Sequence, residues 1–187
     1  MSNAGLSRRS TLAVLAALPC SPWAQASAVP AEVASELAGS RLHGAGRLTW
    51  FGLSVYDARL WAGERFSAAQ FEREPLALEL QYARTLQGKL IAERSLAEMQ
   101  RFGSITDAEA ARWLASMTAL FPDVAAGDRL TGVHRPGEAA RFYFNGKLRG
   151  EVRETDFARR FFSIWLSPQS SEPKLRLALI GGPRAGS

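Results

Sequence analysis

The amino-acid sequence predicts an α+β fold in which one antiparallel sheet carries its helices on a single face. The order of patterns along the chain is three strands, two helices, three strands and two helices. The strands are joined mainly by turns, and Asn145-Gly146 is a strong signal for a two-residue hairpin. Hairpins connect antiparallel neighbours, so the helices are expected to group on one side of the sheet. A length of 187 residues predicts one domain.

The first strands are predicted from residue 41 onward. Gly44 and Gly46 interrupt the first run, which indicates a bulge or the close approach of another backbone. In residues 53–62, successive side chains alternate between two faces, which predicts a second strand. The two strands are expected to form a hairpin that turns near Gly52.

The clearest strand covers residues 76–82. Its even positions are Leu76, Leu78, Leu80 and Tyr82, and its odd positions are Ala77, Glu79 and Gln81. This alternation predicts an antiparallel strand with one apolar face against the core and one mixed face.

Two helices are predicted in the middle of the chain. The first covers roughly residues 89–102 and ends at Gly103. The second begins at a capping box, in which the Thr106 side chain accepts from a backbone amide and Glu109 reaches back to the Thr106 amide. Pro122 ends this helix.

The last part of the chain is predicted to add three strands and two helices. The strands are residues 129–134, 141–144 and 147–153. The first helix is expected to have Thr155 as its N-terminal cap, and the second begins near Pro173. The first of these helices is rich in aromatic side chains, which are expected to pack in the core.

The first 26 residues indicate a cleavable export signal. Arg8 and Arg9 form a positive start, residues 11–18 are apolar, and Ala24-Gln25-Ala26 fits an A-x-A cleavage site. We therefore expect a periplasmic or secreted protein, with twin-arginine export favoured over the general secretory route. No segment approaches the roughly 20 apolar residues of a membrane span.

Cleavage near Ala26 would leave three parts. Residues 27–40 are small and polar and are expected to fray or to form a short helical lead-in. Residues 41–181 form the predicted domain, and residues 182–187 form a loose tail.

The residue content disfavours several kinds of chemistry. Cys20 is the single cysteine and lies in the predicted signal, so the mature chain would have no thiol. His43 and His134 stand outside any metal-ligand motif, so we expect no metal. No glycine-rich phosphate loop is present, so we expect no nucleotide cofactor. The mature net charge, 21 minus 18 or +3, is too dispersed for a nucleic-acid partner.

Arginines beside aromatic residues are the candidate binding groups. Arg59 lies mid-strand between Tyr56 and Trp61, and Arg84 follows Tyr82 at the end of the clearest strand. Burying an unpaired arginine is costly, so each must find an anionic ligand or a carboxylate of the protein.

Two interpretations of these arginines remain open. They could hold the anionic head group of an apolar ligand, or they could form internal ion pairs. Asp57, Glu79 and Glu93 are the candidate partners. For either arginine taken alone, the internal pair is the favoured interpretation.

Several short motifs follow one another in a fixed order. They are residues 50–61 (WFGLSVYDARLW), 76–82, 86–88 (LQG) leading into 91–99, 121–124 (FPDV), 127–128, 142–146 (FYFNG) and 157–166. The set covers about residues 41–181 and resembles the bacterial chalcone isomerase-like family. This resemblance implies an open-faced β-sandwich, with helices layered on one face of a large antiparallel sheet.

The resemblance also implies a ligand cleft. Plant chalcone isomerases close a ring in a flat apolar polyketide with the help of an arginine, a threonine, a tyrosine and an asparagine. Related plant proteins of this fold bind fatty acids, with an arginine and a tyrosine holding the carboxylate.

The catalytic positions carried over from the resemblance differ in this chain. The threonine falls near Phe51 or Gly52, the tyrosine at about Ile91 and the asparagine near Glu98, while the early arginine corresponds to Arg41. Three of the four positions are unmatched. Because such catalysis depends on positioned hydrogen-bond donors, we expect the isomerase chemistry to be lost.

Three hypotheses follow for the function. The favoured one is a non-catalytic binder of an apolar molecule or fatty acid, without a cofactor. Its predicted ligand contacts are Arg59, Arg84, Tyr56, Trp61, Tyr82 and Arg41. The alternatives are an intramolecular lyase or isomerase that uses other residues, and a structural or protein-interaction scaffold.

Overall fold

The computed structural model describes residues 28–181. The predicted signal and tail, residues 1–26 and 182–187, lie outside this range. The strands are β1 (Arg41–Trp50), β2 (Leu53–Ala62), β3 (Leu76–Tyr82), β4 (Arg129–Arg135), β5 (Ala139–Phe144) and β6 (Lys147–Val152). The helices are α1 (Ala31–Glu36), α2 (Gly88–Met99), α3 (Asp107–Leu120), α4 (Thr155–Leu166) and α5 (Pro173–Ile180).

The sheet is a six-stranded antiparallel meander. Its strands lie side by side in chain order, from β1 to β6. The β1–β2 turn consists of Phe51 and Gly52, and the β5–β6 turn of Asn145 and Gly146. Both hairpins and the antiparallel sheet were predicted from the sequence, and the structure confirms them.

The helices α2 to α5 cover one face of the sheet, which we call the inner face. Here the alternation predicted for β3 is confirmed, because its leucines at positions 76, 78 and 80 point into the main core. The aromatic residues of α4 form the centre of this core, as expected. They are Phe157, Phe161, Phe162 and Trp165.

The close approach predicted at the glycines of β1 also occurs. A Cβ atom on Gly44 would lie 2.1 Å from the Leu179 carbonyl oxygen, and one on Gly46 would lie 2.8 Å from a Leu175 methyl carbon. The pairing with β2 shifts register between Leu42 and Gly44, so a bulge is present as well. These glycines let α5 pack directly on the backbone of β1.

The opposite, outer face of the sheet is partly covered by α1. Val33 of this helix packs against Trp61, Ala77, Val133 and Tyr143 in a second, smaller apolar cluster. The predicted helical lead-in at residues 27–40 is thus present as α1. The sequence did not indicate that it would be anchored to the sheet.

The helix ends agree with the predictions in one case and not in another. Thr106 and Glu109 form the expected capping box at the start of α3. Thr155 was predicted to cap α4, and this was wrong. The capping position is Glu154, whose carboxylate instead accepts hydrogen bonds from Arg112 and the Trp113 indole, because α3 packs beside this turn.

Among residues 28–181, no helix is long and apolar enough to cross a membrane.

Candidate ligand-binding cavity

A cavity of about 460 Å³ lies between the inner face of the sheet and the helices. Small-molecule sites typically range from about 300 to 1,000 Å³ and are mostly apolar. The apolar lining comes from both layers: Leu48, Leu78, Leu80, Leu130 and Phe142 of the sheet, and Ile91, Phe161, Ile164 and Trp165 of the helices. The cavity has the size and the walls of a site for an apolar molecule.

The mouth of the cavity is marked by the lining residues that are exposed to solvent. They are Trp50 at the end of β1, Arg84 after β3, and Leu90 and Arg94 on α2. The mouth therefore lies where the β1–β2 hairpin faces the first turns of α2. It combines two apolar and two cationic side chains.

Two tyrosines from neighbouring strands stand on the sheet side of the cavity. Tyr56 and Tyr82 are directly paired in the β2–β3 ladder, and their rings meet edge to face at 5.9 Å. The Tyr56 hydroxyl accepts a hydrogen bond of 3.0 Å from the Trp165 indole, so its own proton remains available for a ligand. Burial raises the pKa of both phenols, which therefore remain neutral donors at physiological pH.

The helical side of the cavity carries a buried carboxylate. The side chain of Glu98 is only 8% exposed, and its Oε1 lies 2.5 Å from an Arg94 guanidinium nitrogen. Its Oε2 lies 3.4 Å from Arg101 Nε. Glu98 is thus paired with two arginines of its own helical region, and Glu172 is a second carboxylate in the cavity lining.

Arg84 differs from the other arginine at the mouth. Within residues 28–181 it has no carboxylate within ion-pair distance, whereas Arg94 is paired with Glu98. A cation without an internal partner at the open end of an apolar cavity is suited to receive an anionic group.

Three of the six residues predicted to contact a ligand line the cavity: Tyr56, Tyr82 and Arg84. The structure brings them together because Tyr56 pairs with Tyr82 and Arg84 follows two residues later.

The other three predicted contacts lie elsewhere. Arg59 is on the outer face, where its Nη1 donates to Glu79 Oε1 at 3.0 Å, and Trp61 donates to the other oxygen of Glu79 at 2.8 Å. Arg41 is exposed and pairs with Glu64. Strand periodicity explains the division, since Arg59 and Trp61 are an odd number of positions from Tyr56. For Arg59, the internal pair is what the structure contains.

Sequence reasoning missed Arg94 as part of the site and named Glu98 only as the unmatched position of the asparagine. An i,i+4 spacing is typical of an ion pair on a helix, but the spacing alone does not show that the pair faces a cavity. The catalytic positions carried over at Ile91 and Glu98 do line the cavity. Phe51 and Gly52 lie outside it, in the turn between β1 and β2.

No group of three or more histidine, cysteine or acidic residues within the described range could hold a metal ion.

The six-stranded meander with helices α2 to α5 on one face and a cavity between these layers defines an open-faced α+β sandwich. The chain belongs to the chalcone isomerase-like family, whose model matches residues 24–181. The resemblance inferred from the sequence motifs is therefore confirmed.

Two similar proteins can be compared with this chain. An uncharacterized protein from Haemophilus influenzae is 29% identical over 133 residues, which cover 71% of this chain and 64% of the relative. The chain thus spans slightly less than two thirds of that relative's length. A fatty-acid binding protein from Arabidopsis thaliana has a TM-score of 0.60 and 15% identity, covering 76% of this chain and 87% of the other. This structural likeness shows a common fold.

Proposed function

We propose that this protein is an exported, non-catalytic carrier of an apolar small molecule with an anionic end, such as a fatty acid. The observation that carries the proposal is the apolar cavity with Arg84 unpaired at its mouth among the described residues. The acyl chain would lie against the leucines of β3 and the aromatic residues of α4. Its carboxylate would bind Arg84, and the neutral Tyr56 and Tyr82 hydroxyls would donate hydrogen bonds.

Two further points support a carrier. The plant protein of the same fold is described as a fatty-acid binding protein. In addition, the position carried over from the isomerase tyrosine is Ile91, which has no hydroxyl to stabilise developing negative charge. Export is supported by the charged, apolar and A-x-A segments of residues 8–26.

The first experiment is native mass spectrometry of the chain from Ser27 onward, followed by extraction of any bound molecule and by titration with palmitate. We expect a stoichiometric acyl ligand, and palmitate binding that falls roughly tenfold in Arg84→Ala, the scale of one lost charge-assisted contact. Arg41→Ala is the matched control, because Arg41 is also exposed but pairs with Glu64 away from the cavity.

Two results would overturn the proposal. One is a protein without ligand that does not bind palmitate, which would favour a scaffold. The other is turnover of a hydroxychalcone that is lost in Tyr56→Phe, because it would show that the cavity retains an intramolecular lyase activity.

A further inference from the structure

The tip of the β1–β2 hairpin exposes an unusual amount of apolar surface. Trp50 is 54% exposed, Phe51 90% and Leu53 58%, and they are consecutive but for Gly52. The rings of Trp50 and Phe51 contact each other edge to face at 5.1 Å. We call residues 50–53 the apolar tip. Contiguous apolar surface of this kind marks an interaction site in a folded protein.

The backbone of the apolar tip is a second observation. Phe51 has a φ of +47°, and Gly52 a φ of +78°, which are the values of a two-residue hairpin turn that favours Asn-Gly. The β5–β6 turn has nearly the same angles, +48° and +81°, and there the first residue is Asn145. A bulky residue in the left-handed region is strained, and Phe51 gains no burial in return. Folding alone therefore does not explain this phenylalanine.

The apolar tip is continuous with the mouth of the cavity. Trp50 belongs to both, and Leu90 of α2, which is 52% exposed, lines the mouth beside it. Anything that covers the tip would also lie over the entrance through which a ligand must pass.

The charged groups around the tip favour a lipid surface as the partner. Three nearby cations have acidic neighbours: Arg47 with Asp57, Arg94 with Glu98, and Lys89 with Glu93 at 3.8 Å. Arg84 and Arg101, which shares Glu98 with Arg94, add two positive charges beyond these pairs. Glu172 of the cavity lining adds one negative charge, so one positive charge is in excess.

Aromatic side chains beside arginine and lysine are typical of segments that enter the interface of a bilayer. The excess of one positive charge also complements anionic lipid head groups.

We propose that the apolar tip inserts into the surface of a lipid bilayer and places the mouth of the cavity against it. Trp50 and Phe51 would enter the head-group region, with Leu53 and Leu90 following. Membrane docking does not depend on the proposed function. Transfer of an acyl ligand between the bilayer and the cavity does rest on it.

The test is sedimentation of the chain from Ser27 onward with vesicles of equal parts phosphatidylethanolamine and phosphatidylglycerol. We expect the unsubstituted protein to sediment with the vesicles and Phe51→Asn to partition roughly tenfold more weakly, because the phenylalanine that would enter the bilayer is replaced by a polar side chain. Phe51→Asn recreates the Asn-Gly turn, so it should fold at least as well. Phe51→Trp should retain binding.

Leu148→Asn is the matched control, since Leu148 is 59% exposed on the other hairpin. Its vesicle binding should equal that of the unsubstituted protein. The proposal is overturned if the protein stays in the supernatant, or if Phe51→Asn binds as well as the unsubstituted chain. It is also overturned if the protein self-associates through the tip without binding vesicles. Palmitate titration without vesicles tests the proposed ligand by itself. A failure of membrane docking can therefore be told apart from a failure of the ligand proposal.

Discussion

The two faces of the sheet differ in whether their arginines have a carboxylate of the protein as a partner. On the outer face, arginines lie within reach of carboxylates: Arg59 with Glu79, Arg129 with Glu32, and Arg141 with Glu36 and Glu151. On the inner face, apolar walls leave a cavity, and Arg84 stands at its mouth with no carboxylate partner in the described range. An arginine in or beside this sheet is therefore a candidate ligand contact only where no carboxylate of the protein pairs with it.

The helix α1 explains why the outer face holds its charges. Glu32 accepts from Arg129 at 2.9 Å and from the Thr131 hydroxyl at 2.9 Å, and Glu36 accepts from Arg141 at 3.0 Å. Burial acts to raise the pKa of Glu36, but hydrogen bonds from Tyr143 and Arg141 outweigh it and the pKa is lowered. These contacts attach a six-residue helix that is too short to be stable alone.

Among the substitutions that test the contrast between the two faces, Glu79→Ala is expected to have the largest effect on stability. Glu79 is buried, and its loss would leave the Trp61 indole without an acceptor and the Arg59 guanidinium without its carboxylate, with only the longer bonds to Gln81 Oε1 at 3.4 Å remaining. We expect the free energy of unfolding to fall by about 3 kcal/mol, measured by urea denaturation. Glu79→Gln, which keeps an acceptor, should cost less. If Glu79→Ala cost under about 1 kcal/mol, the outer-face pairs would not be structural.

A smaller effect is expected at the α1 contacts, and it depends on pH. Because the folded pKa of Glu36 is below its ordinary value of 4.5, its contribution is present above that value and is lost as the pH falls through the folded pKa. The pKa of Tyr143 shifts in the opposite direction from that of Glu36. Burial, followed by its bond to Glu36, raises the pKa of Tyr143 to about 12, so its contribution is lost as the pH rises through 12.

Glu36→Gln should therefore reduce stability by about 1–2 kcal/mol at neutral pH and flatten the acid limb of a plot of unfolding free energy against pH. Urea denaturation at several pH values measures both. An acid limb as steep as that of the unsubstituted protein would show that Glu36 does not couple α1 to pH.

The smallest effect is expected on the inner face, for Tyr82→Phe. No hydrogen bond of the Tyr82 hydroxyl to another residue of the described range is present, so its removal should change the unfolding free energy by less than about 0.5 kcal/mol. If the hydroxyl serves a ligand, palmitate binding should weaken while stability stays constant. A large loss of stability would show that the inner-face polar groups are structural, like those of the outer face.

The sequence was sufficient for much of the fold because the relevant signals are local. Strand alternation in β3, the capping box at Thr106 and the Asn145-Gly146 turn each depend on neighbouring residues, and each occurs as predicted. The same alternation placed Tyr56 and Arg59 on opposite faces of β2. It did not indicate which face would hold the cavity.

The order of the elements and the antiparallel pairing follow from the sequence, which also indicated six candidate contacts, and of these Tyr56, Tyr82 and Arg84 line the cavity. Packing between distant parts of the chain places the carboxylates of α1 on the outer face and Glu98 in the cavity wall, and it selects Glu79 among the three candidate partners of Arg59. These outcomes depend on residues that are far apart along the chain. Arg129 meets Glu32 across 97 positions, and no local pattern specifies which distant charges packing will bring together.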